Sequence, residues 1–212
     1  MARDGHSRPA LSPTNVAPNR SVTFMIRLVT GTADPRQQEH LEEHYRLRHD
    51  IFVGERGWAG LARSDGREID AYDTQQTIYV LALDNGQVVG GYRFLPTNGP
   101  HLLQDHYSHL VRGAVPSGRE IHEWSRFFIR SDRRGRGFLR QLIGSVPPIC
   151  RLLGIASLTS VIEPDWLPRF DAAGFRYRML GPFVEAGDMR LAAVHIDVQQ
   201  SPASSQAVGW DC

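Results

Sequence analysis

An α/β three-layer α-β-α sandwich built on a mixed sheet is the fold class the sequence predicts, and three observations predict it. Two apolar runs, TIYVLAL and QVVGGYRFL, flank Asp84-Asn85-Gly86 as the arms of a hairpin with a tight primed turn. REIHEWSRFFI alternates as a strand does, and the Gly-rich turn SDRRGRG carries it into an apolar-periodic helix. A further strand, helix and two strands follow, so strands and helices interleave as they do when helices cover both faces of one sheet.

Taken in order, the first residues are rich in Pro, Ser, Asn and Arg with little to bury. Residues 1–23 are therefore expected to be a disordered tail, 24–198 the folded domain, and 199–212 (QQSPASSQAVGWDC) a second disordered tail. FMIRLVT opens the domain as a strand, and Met25 is an alternative start to Met1. RQQEHLEEHYRLRHDIF places Leu41, Tyr45, Arg48 and Phe52 at helical spacing, with Arg48 and Phe52 on one face. A long Gly-containing loop is predicted for 53–74, ahead of the hairpin, and a short helix around 102–111 after it. Strict alternation on the central strand puts Ile121, Glu123, Ser125 and Phe127 on one face. In FLRQLIGSVPPICRLLG, Pro147 and Pro148 should kink or break the helix. ASLTSVI then reads as a strand, PDWLPRFDAAG as a helix, and FRYRML and MRLAAVHIDV as strands, with no internal repeat.

Composition narrows the function. At 212 residues, 41% hydrophobic and 22% charged, the chain suits one soluble domain. No apolar stretch approaches a membrane span, and the N-terminus has no apolar run of a secretory signal, so no membrane association and a cytoplasmic location are expected. All 24 basic residues are arginine, which excludes lysine Schiff-base chemistry and a P-loop lysine. A net charge of +1 gives no reason to expect a nucleic-acid partner. Cys150 sits in an apolar helical pattern and Cys212 is the last residue, leaving no basis for a disulfide framework. His101, His106 and His109 cluster without companion cysteines or a carboxylate motif, so no metal site is assigned.

Three clusters carry chemistry. Arg48, Phe52 and Trp58 combine a cation with aromatic faces. Glu68, Asp70 and Asp73 put three carboxylates into a six-residue loop segment. Glu123, Ser125 and Arg126 lie on the central strand, with Arg93 on the preceding hairpin, and charges in mid-sheet need a partner or a ligand. Each has a structural reading as well: aromatics at helical spacing are core, acidic residues stabilise turns, and Glu123 is able to pair internally with Arg93 or Arg126.

Together these residues resemble the signature of the acyl-homoserine-lactone (autoinducer) synthases. Arg48, Phe52 and Trp58 are followed by E-x-D-x-x-D at Glu68, Asp70 and Asp73, then by Arg93 and by E-x-S-R-F at Glu123, Ser125, Arg126 and Phe127. The resemblance implies the acyltransferase fold shared with N-acetyltransferases. It also implies transfer of an acyl group from an acyl-CoA or acyl-carrier-protein thioester to the amine of S-adenosylmethionine, followed by lactone closure with release of methylthioadenosine. No resident cofactor is implied, and a monomer or weak dimer is expected.

S-adenosylmethionine carries a sulfonium, an ammonium, a carboxylate and an adenosine. Phe52 and Trp58 offer it stacking and cation–π surface, Asp70 and Asp73 hold its ammonium or ribose, and Arg48 or Arg126 pairs with its carboxylate. Glu68 and Arg93 belong to the same binding set. Glu123 is the candidate base, with Ser125 and Arg126 beside it in the catalytic set, and backbone N–H groups near Phe127 suit the thioester oxygen. Arg133, Arg134, Gly135, Arg136 and Gly137 resemble a pyrophosphate cradle, although Asp132 stands where that motif has Gln or Arg. Thr159 and Ser160 fall near the position that tunes the acyl group in relatives, whose pocket is expected from the 138–183 segment. Two rivals remain. A plain N-acetyltransferase explains the Gly-rich turn but not Trp58 or the acidic loop, and a nucleic-acid module built on RSDRRGRGFLR lacks a second basic face.

Overall fold

The computed structural model describes residues 24–31, 35–201 and 209–211, excluding the side chains of Arg36, Arg136 and 209–211. In chain order the elements are β1 (Met25–Thr30), α1 (Pro35–Arg48), β2 (Ile78–Asp84), β3 (Gln87–Pro96), α2 (Leu102–Asp105), β4 (Ile121–Ile129), α3 (Arg136–Gly144), α4 (Val146–Leu152), β5 (Ser157–Ile162), α5 (Leu167–Ala172), β6 (Arg176–Met179), β7 (Val184–Ala186), β8 (Met189–Asp197) and β9 (Gly209–Asp211). The sheet runs β6-β8-β5-β4-β3-β2-β1-β9, and β7 pairs with β8 alongside β6. β4 with β5 and β1 with β9 are parallel while the other pairs are antiparallel, which makes the sheet mixed.

The hairpin turn explains its own sequence. Asn85 and Gly86 both take positive φ, 50° and 79°, the backbone of a primed turn whose twist matches that of β2 and β3. The apolar residues of these strands then divide between two cores. Tyr79, Leu81 and Val88 pack under α1 with Leu41, Tyr45 and Phe52, whereas Val80, Tyr92 and Phe94 pack under α3, α4 and α5 with Phe138, Leu142 and Phe170. Helices on both faces give the predicted three layers. A smaller cluster of Leu103, Leu110, Leu180, Leu191 and Ala193 closes the end of the sheet around α2. Gly91 is required where β3 passes under α1, because a Cβ there would lie 2.6 Å from the Val80 carbonyl oxygen and 3.3 Å from His44 Nδ1.

Four expectations change. Helical backbone continues past α1 as a π-helical segment, His49–Glu55, and a 3-10 turn at Ala59–Leu61 follows, so the predicted 53–74 loop is partly helical. On β4 the alternation fails: Arg126 has φ 54°, and the register jumps from Arg93↔Ser125 to Gly91↔Phe128. This bulge inserts one extra residue, so Phe127 turns away from the face that carries Glu123 and Ser125. It stacks instead on Tyr92, with centroids 6.0 Å apart, while Phe128 packs against His44 at 5.1 Å. β7 was not predicted; it forms a hairpin with β8 about Gly187, whose φ is 66°.

The fourth change concerns the C-terminal tail. Ser201 is buried, accepts the Arg176 N–H at 3.2 Å and donates to the Asp197 carbonyl at 2.6 Å. Gly209–Asp211 pairs in parallel with β1, whose outer edge needs partners for its ladder groups. The 199–212 segment is therefore not uniformly a disordered tail. Residues 1–23, 202–208 and 212, and with them the N-terminal tail and the choice between Met1 and Met25, lie outside the described residues. The prolines act as expected: α3 and α4 are separate segments broken at Ser145. Among the described residues no helix is long and apolar enough to cross a membrane, no group of three His, Cys, Asp or Glu is placed to hold a metal ion, and Cys150 is a buried free thiol.

Candidate active site

The site arises where the sheet comes apart. β4 and β5 pair only from Ile121↔Ser157 to Glu123↔Thr159; beyond that point the Ser160 hydroxyl donates to the Trp124 carbonyl at 2.9 Å and the strands separate. A cavity of about 560 Å³ occupies the gap. Eight of the predicted residues line it: Phe52, Trp58, Asp70, Glu123, Ser125, Arg126, Phe127 and Ser160.

Arg48, Glu68, Asp73 and Arg93 do not line it. Their side chains are buried behind its wall, at most 1% exposed, in an ion network. Arg48 donates to Glu68 at 2.5 Å and through both terminal nitrogens to Asp73 at 2.8 and 2.9 Å. Arg93 donates to Asp70 at 2.8 and 2.7 Å and to Ser125 Oγ at 3.1 Å. Arg126 reaches both Glu68, at 3.0 Å, and Asp70, at 2.9 Å. Three guanidiniums thus face three carboxylates, and the Tyr45 hydroxyl donates to that of Tyr79, which donates to Asp73. Burial alone would raise the Asp73 carboxyl, but Arg48 and Arg93 outweigh it and hold Asp73 well below the usual range. Asp70 is likewise lowered, against its burial, chiefly by Arg93. Arg48, Glu68, Asp73 and Arg93, expected in the substrate-binding set, thus stand behind the cavity wall. Their charges are already matched, and the members of the network that meet the cavity are Asp70 and Arg126.

Glu123 stands apart from the network. It accepts the Leu103 N–H at 2.9 Å, at the start of α2, and makes no ion pair with Arg93 or Arg126. Burial dominates and pushes its carboxyl up to about 7, which suits a proton acceptor at neutral pH. The internal ion pair that the sequence left open for Glu123 is not formed.

Above Arg126, Phe52 and Trp58 stack with centroids 5.2 Å apart and planes 11° apart. Arg126 lies 5.7 Å from the Phe52 centroid and Arg56 lies 5.2 Å from that of Trp58. Arg56, Tyr72, Tyr107, Trp166 and Phe170 also line the cavity and went unnoticed in the sequence. Trp166 and Phe170 share a helical face in PDWLPRF, which is the signal that was available. The pocket expected from 138–183 draws only on 160–170 of that range; Leu102, Met189 and Leu191 supply further wall. Thr159 is fully buried at the last β4–β5 pair, and its Oγ1 has no partner.

A second groove of about 520 Å³ shares Phe52, Arg56, Phe127 and Trp166 with the first and continues past Arg134 and Gly135 to the start of α3. Arg134 donates to the Ile129 carbonyl at 3.0 Å and pairs with Glu55 at 2.5 Å. Arg133 turns elsewhere, to Asp84 at 2.5 Å, and neither it nor Gly137 lines the groove; the Arg136 side chain lies outside the described residues.

The autoinducer synthase family profile matches residues 33–202. The chain belongs to that family. The isovaleryl-homoserine lactone synthase of Bradyrhizobium diazoefficiens is 45% identical to this synthase over 159 residues, covering 74% of this chain and 72% of the relative. The structure of a CoA-dependent acyl-homoserine lactone synthase, BjaI, with SAM and isopentyl-CoA superposes with a TM-score of 0.79 at 42% identity, covering 82% of this chain and 83% of that one. A putative N-acetyltransferase from Lactobacillus plantarum shares the fold at a TM-score of 0.56 and 19% identity, covering 82% of this chain and 99% of its own. The sandwich is therefore the N-acetyltransferase-like one, and the synthase is an acyltransferase.

Proposed function

We propose that this synthase moves the acyl group of an acyl-CoA onto the amine of S-adenosylmethionine and then closes the homoserine lactone, releasing methylthioadenosine. The observation that carries the reading is Glu123, a buried carboxylate held near neutrality at the wall of a cavity that also presents Arg126, Asp70 and stacked aromatics. Glu123 takes a proton from the substrate ammonium, and the freed amine attacks the thioester carbonyl. The oxyanion collapses and the C–S bond breaks as the attacking nitrogen gives up its second proton to the departing sulfur, so CoA leaves as its thiol, and Glu123 returns its own proton to solvent. Beyond Glu123 the β5-facing edge of β4 has no ladder partner, so its N–H groups are placed to polarise that carbonyl. The substrate carboxylate then attacks the carbon bearing the sulfonium, and methylthioadenosine departs with the bonding pair. Both halves balance without a resident cofactor.

Arg126 is the guanidinium of the network that lines the cavity, which suits it to the substrate carboxylate, and Phe52 and Trp58 suit the sulfonium and adenine. Trp58→Ala is expected to raise the Kd for S-adenosylmethionine about tenfold while lowering Tm by only a few degrees, because Trp58 sits on a loop and stacks on one face of Phe52. Isothermal titration beside a thermal melt checks this; equal losses in both would mark Trp58 as a structural residue. Asp70→Ala is expected to lose both, since Asp70 anchors two arginines.

The acyl-CoA assignment rests on the second groove and on the relatives that use CoA. Arg134 and the N–H groups opening α3 suit a pyrophosphate, and the groove leads directly into the cavity. Arg134→Ala is expected to raise KM for acyl-CoA by up to about tenfold with kcat nearly unchanged, measured by methylthioadenosine release. Turnover solely with an acyl-carrier-protein thioester would overturn this donor. Arg130, Arg133 and Arg134 are paired with Asp132, Asp84 and Glu55, which leaves little for a nucleic acid to neutralise. Both substrates are cytoplasmic metabolites, which supports that location.

A further inference from the structure

Among the described residues Glu123 is held by a single hydrogen bond, donated by the Leu103 N–H to Oε2 at 2.9 Å. That bond decides which oxygen is engaged: the backbone takes Oε2 and leaves Oε1 to accept the substrate proton. It also favours the ionised carboxyl against the burial that opposes it. The base is therefore only as well placed as Leu103 is.

Leu103 belongs to α2, a single turn closed by the Asp105 N–H to the His101 carbonyl at 3.0 Å and the His106 N–H to the Leu102 carbonyl at 2.9 Å. One turn does not hold itself in water, because its few bonds do not repay the cost of nucleation. Its place is set from outside. The Leu103 side chain is buried among Leu110, Leu180, Leu191 and Ala193, and His101 Nδ1 donates to the Gly99 carbonyl at 2.8 Å. A further tie comes from Tyr72, the residue between Asp70 and Asp73 in the acidic loop. Its hydroxyl donates to Asp105 Oδ2 at 2.9 Å, and its ring meets His106 edge-on with centroids 6.1 Å apart.

Tyr72 is itself pinned on both sides. Its N–H donates to Asp70 Oδ1 at 2.9 Å, and its carbonyl accepts the Thr77 hydroxyl at 2.6 Å. Asp70 is gripped in turn by Arg93 and Arg126. The ion network and Glu123 share no bond, yet a continuous run of bonds joins them through Tyr72, Asp105 and α2. This run lies away from the aromatic half of the cavity, where Phe127 packs against Trp166 with centroids 5.1 Å apart.

We propose that Tyr72 is a positioning residue for acyl transfer: through Asp105 it fixes α2 so that the Leu103 N–H holds Oε2 of Glu123 and Oε1 meets the substrate ammonium. This rests on Glu123 as the base and deepens that reading. The groups around Glu123 are Arg93 on β3, Arg126 on β4, Asp70 and Tyr72 on the acidic loop, and Asp105, His101 and His106 on and beside α2. β5 contributes the neutral Thr159 in register with Glu123, and His195 of β8 lies beyond it. Burial, with Asp105 beside it, pushes the Tyr72 phenol up to about 12, so Tyr72→Phe removes no charge at working pH. A change in Glu123 acidity in that variant reports the hydrogen bond.

The test follows kcat and KM against pH in the full-length enzyme, with S-adenosylmethionine and the most active of hexanoyl-CoA, isovaleryl-CoA and cinnamoyl-CoA. In Tyr72→Phe, kcat at pH 7 should fall about tenfold, the worth of one hydrogen bond, while KM for S-adenosylmethionine stays within about twofold. The inflection near 7 should move up by about half a pH unit, because a carboxyl that loses a donor is harder to ionise. Asp105→Ala should behave alike, and Asp105→Asn, which keeps an acceptor, should recover most of what Asp105→Ala loses. Tyr72→Phe combined with Asp105→Ala should lose no more than either alone. An unmoved inflection in Tyr72→Phe, whatever becomes of Tm, would overturn the assignment. So would a raised KM for S-adenosylmethionine with kcat intact, which would make Tyr72 a direct substrate contact.

A second readout needs no substrate. Leu103 and Leu153 are the two leucines preceded by a leucine, so leucine labelled at its carbonyl carbon and its nitrogen leaves only their amides in a carbonyl-edited spectrum. The wild-type Leu103 amide should shift as pH passes through about 7, following Glu123, and should shift much less in Tyr72→Phe, with Leu153 as the internal control. Equal titration in both proteins would count against the proposal, also where none of the three thioesters is turned over. A wild-type enzyme with no inflection near 7 in either readout would instead refute Glu123 as the base, and this inference with it.

Discussion

Glu123→Gln is expected to lower lactone synthesis by about 10²–10⁴-fold while leaving the Kd for S-adenosylmethionine within a few-fold of wild type. The substitution keeps the side chain's shape and an oxygen able to accept the Leu103 N–H, and it removes the group that takes the proton. Because burial lifts Glu123 to about 7, kcat/KM of the wild type should rise with pH and level off above that value. Stability runs the other way. The folded carboxyl holds its proton up to about 7 and the unfolded one loses it near the ordinary glutamate value, so the folded state binds more protons between those limits and loses stability as pH rises through them. Glu123→Gln should therefore melt higher than wild type at pH 8 and about equally at pH 4. Turnover of the variant at the wild-type rate would sink the base assignment.

Asp73→Ala should unfold the protein more readily than any other substitution at the site. Asp73 is fully buried between Arg48 and Arg93, and its loss leaves both guanidiniums short of charge in a dry interior. Breaking such a pair costs about 3–5 kcal/mol, which for a chain of this size is a fall in Tm of roughly 6–20 °C. Asp73→Asn should recover part of it by keeping an acceptor. The dependence on pH is opposite in sign to that of Glu123. The folded Asp73 carboxyl lies well below its unfolded value, so its contribution is complete at neutral pH and is lost only as pH falls past the ordinary aspartate range toward the folded value. Calorimetry at pH 7 and pH 3 should show the gap between variant and wild type narrowing in acid. A Tm within 2 °C of wild type, with a large loss of S-adenosylmethionine binding, would restore the direct substrate role that the sequence suggested.

What could be read in advance follows from what each residue depends on. The hairpin was legible because Asn85-Gly86 specifies its turn locally, and the break at Ser145 because Pro147 and Pro148 act on their own backbone. The identities of the ionic residues were legible too, since their order along the chain is a pattern. Their division into buried network and cavity wall was not, because whether Arg48 meets a ligand or Asp73 depends on residues 20 and 25 positions away folding over it. The bulge was hidden for a similar reason. Positive φ at Arg126 has no glycine to announce it, and the grip of Glu68 and Asp70 on the guanidinium accompanies a conformation the backbone does not prefer. Pairing of Gly209–Asp211 with β1 is likewise set by a distant edge, not by its own composition.

The bulge on β4 also bears on how such a chain tolerates change over evolutionary time. It places Ser125 and Arg126 in succession on the face of the ion network, then returns Phe127 to the aromatic half and Phe128 to the packing under α1. Deleting Ser125 or Arg126 would restore regular alternation and leave Phe127 and Phe128 on their faces, but it would remove one of the two residues that meet the ion network. Losing the bulge with every residue kept would instead exchange the two faces downstream, bringing Phe127 among the carboxylates and Phe128 to where Phe127 now stacks on Tyr92. The segment should accept almost no insertion or deletion. Lineages descending from a common synthase should therefore vary in length in the connecting loops and keep a fixed spacing between Glu123 and Phe128.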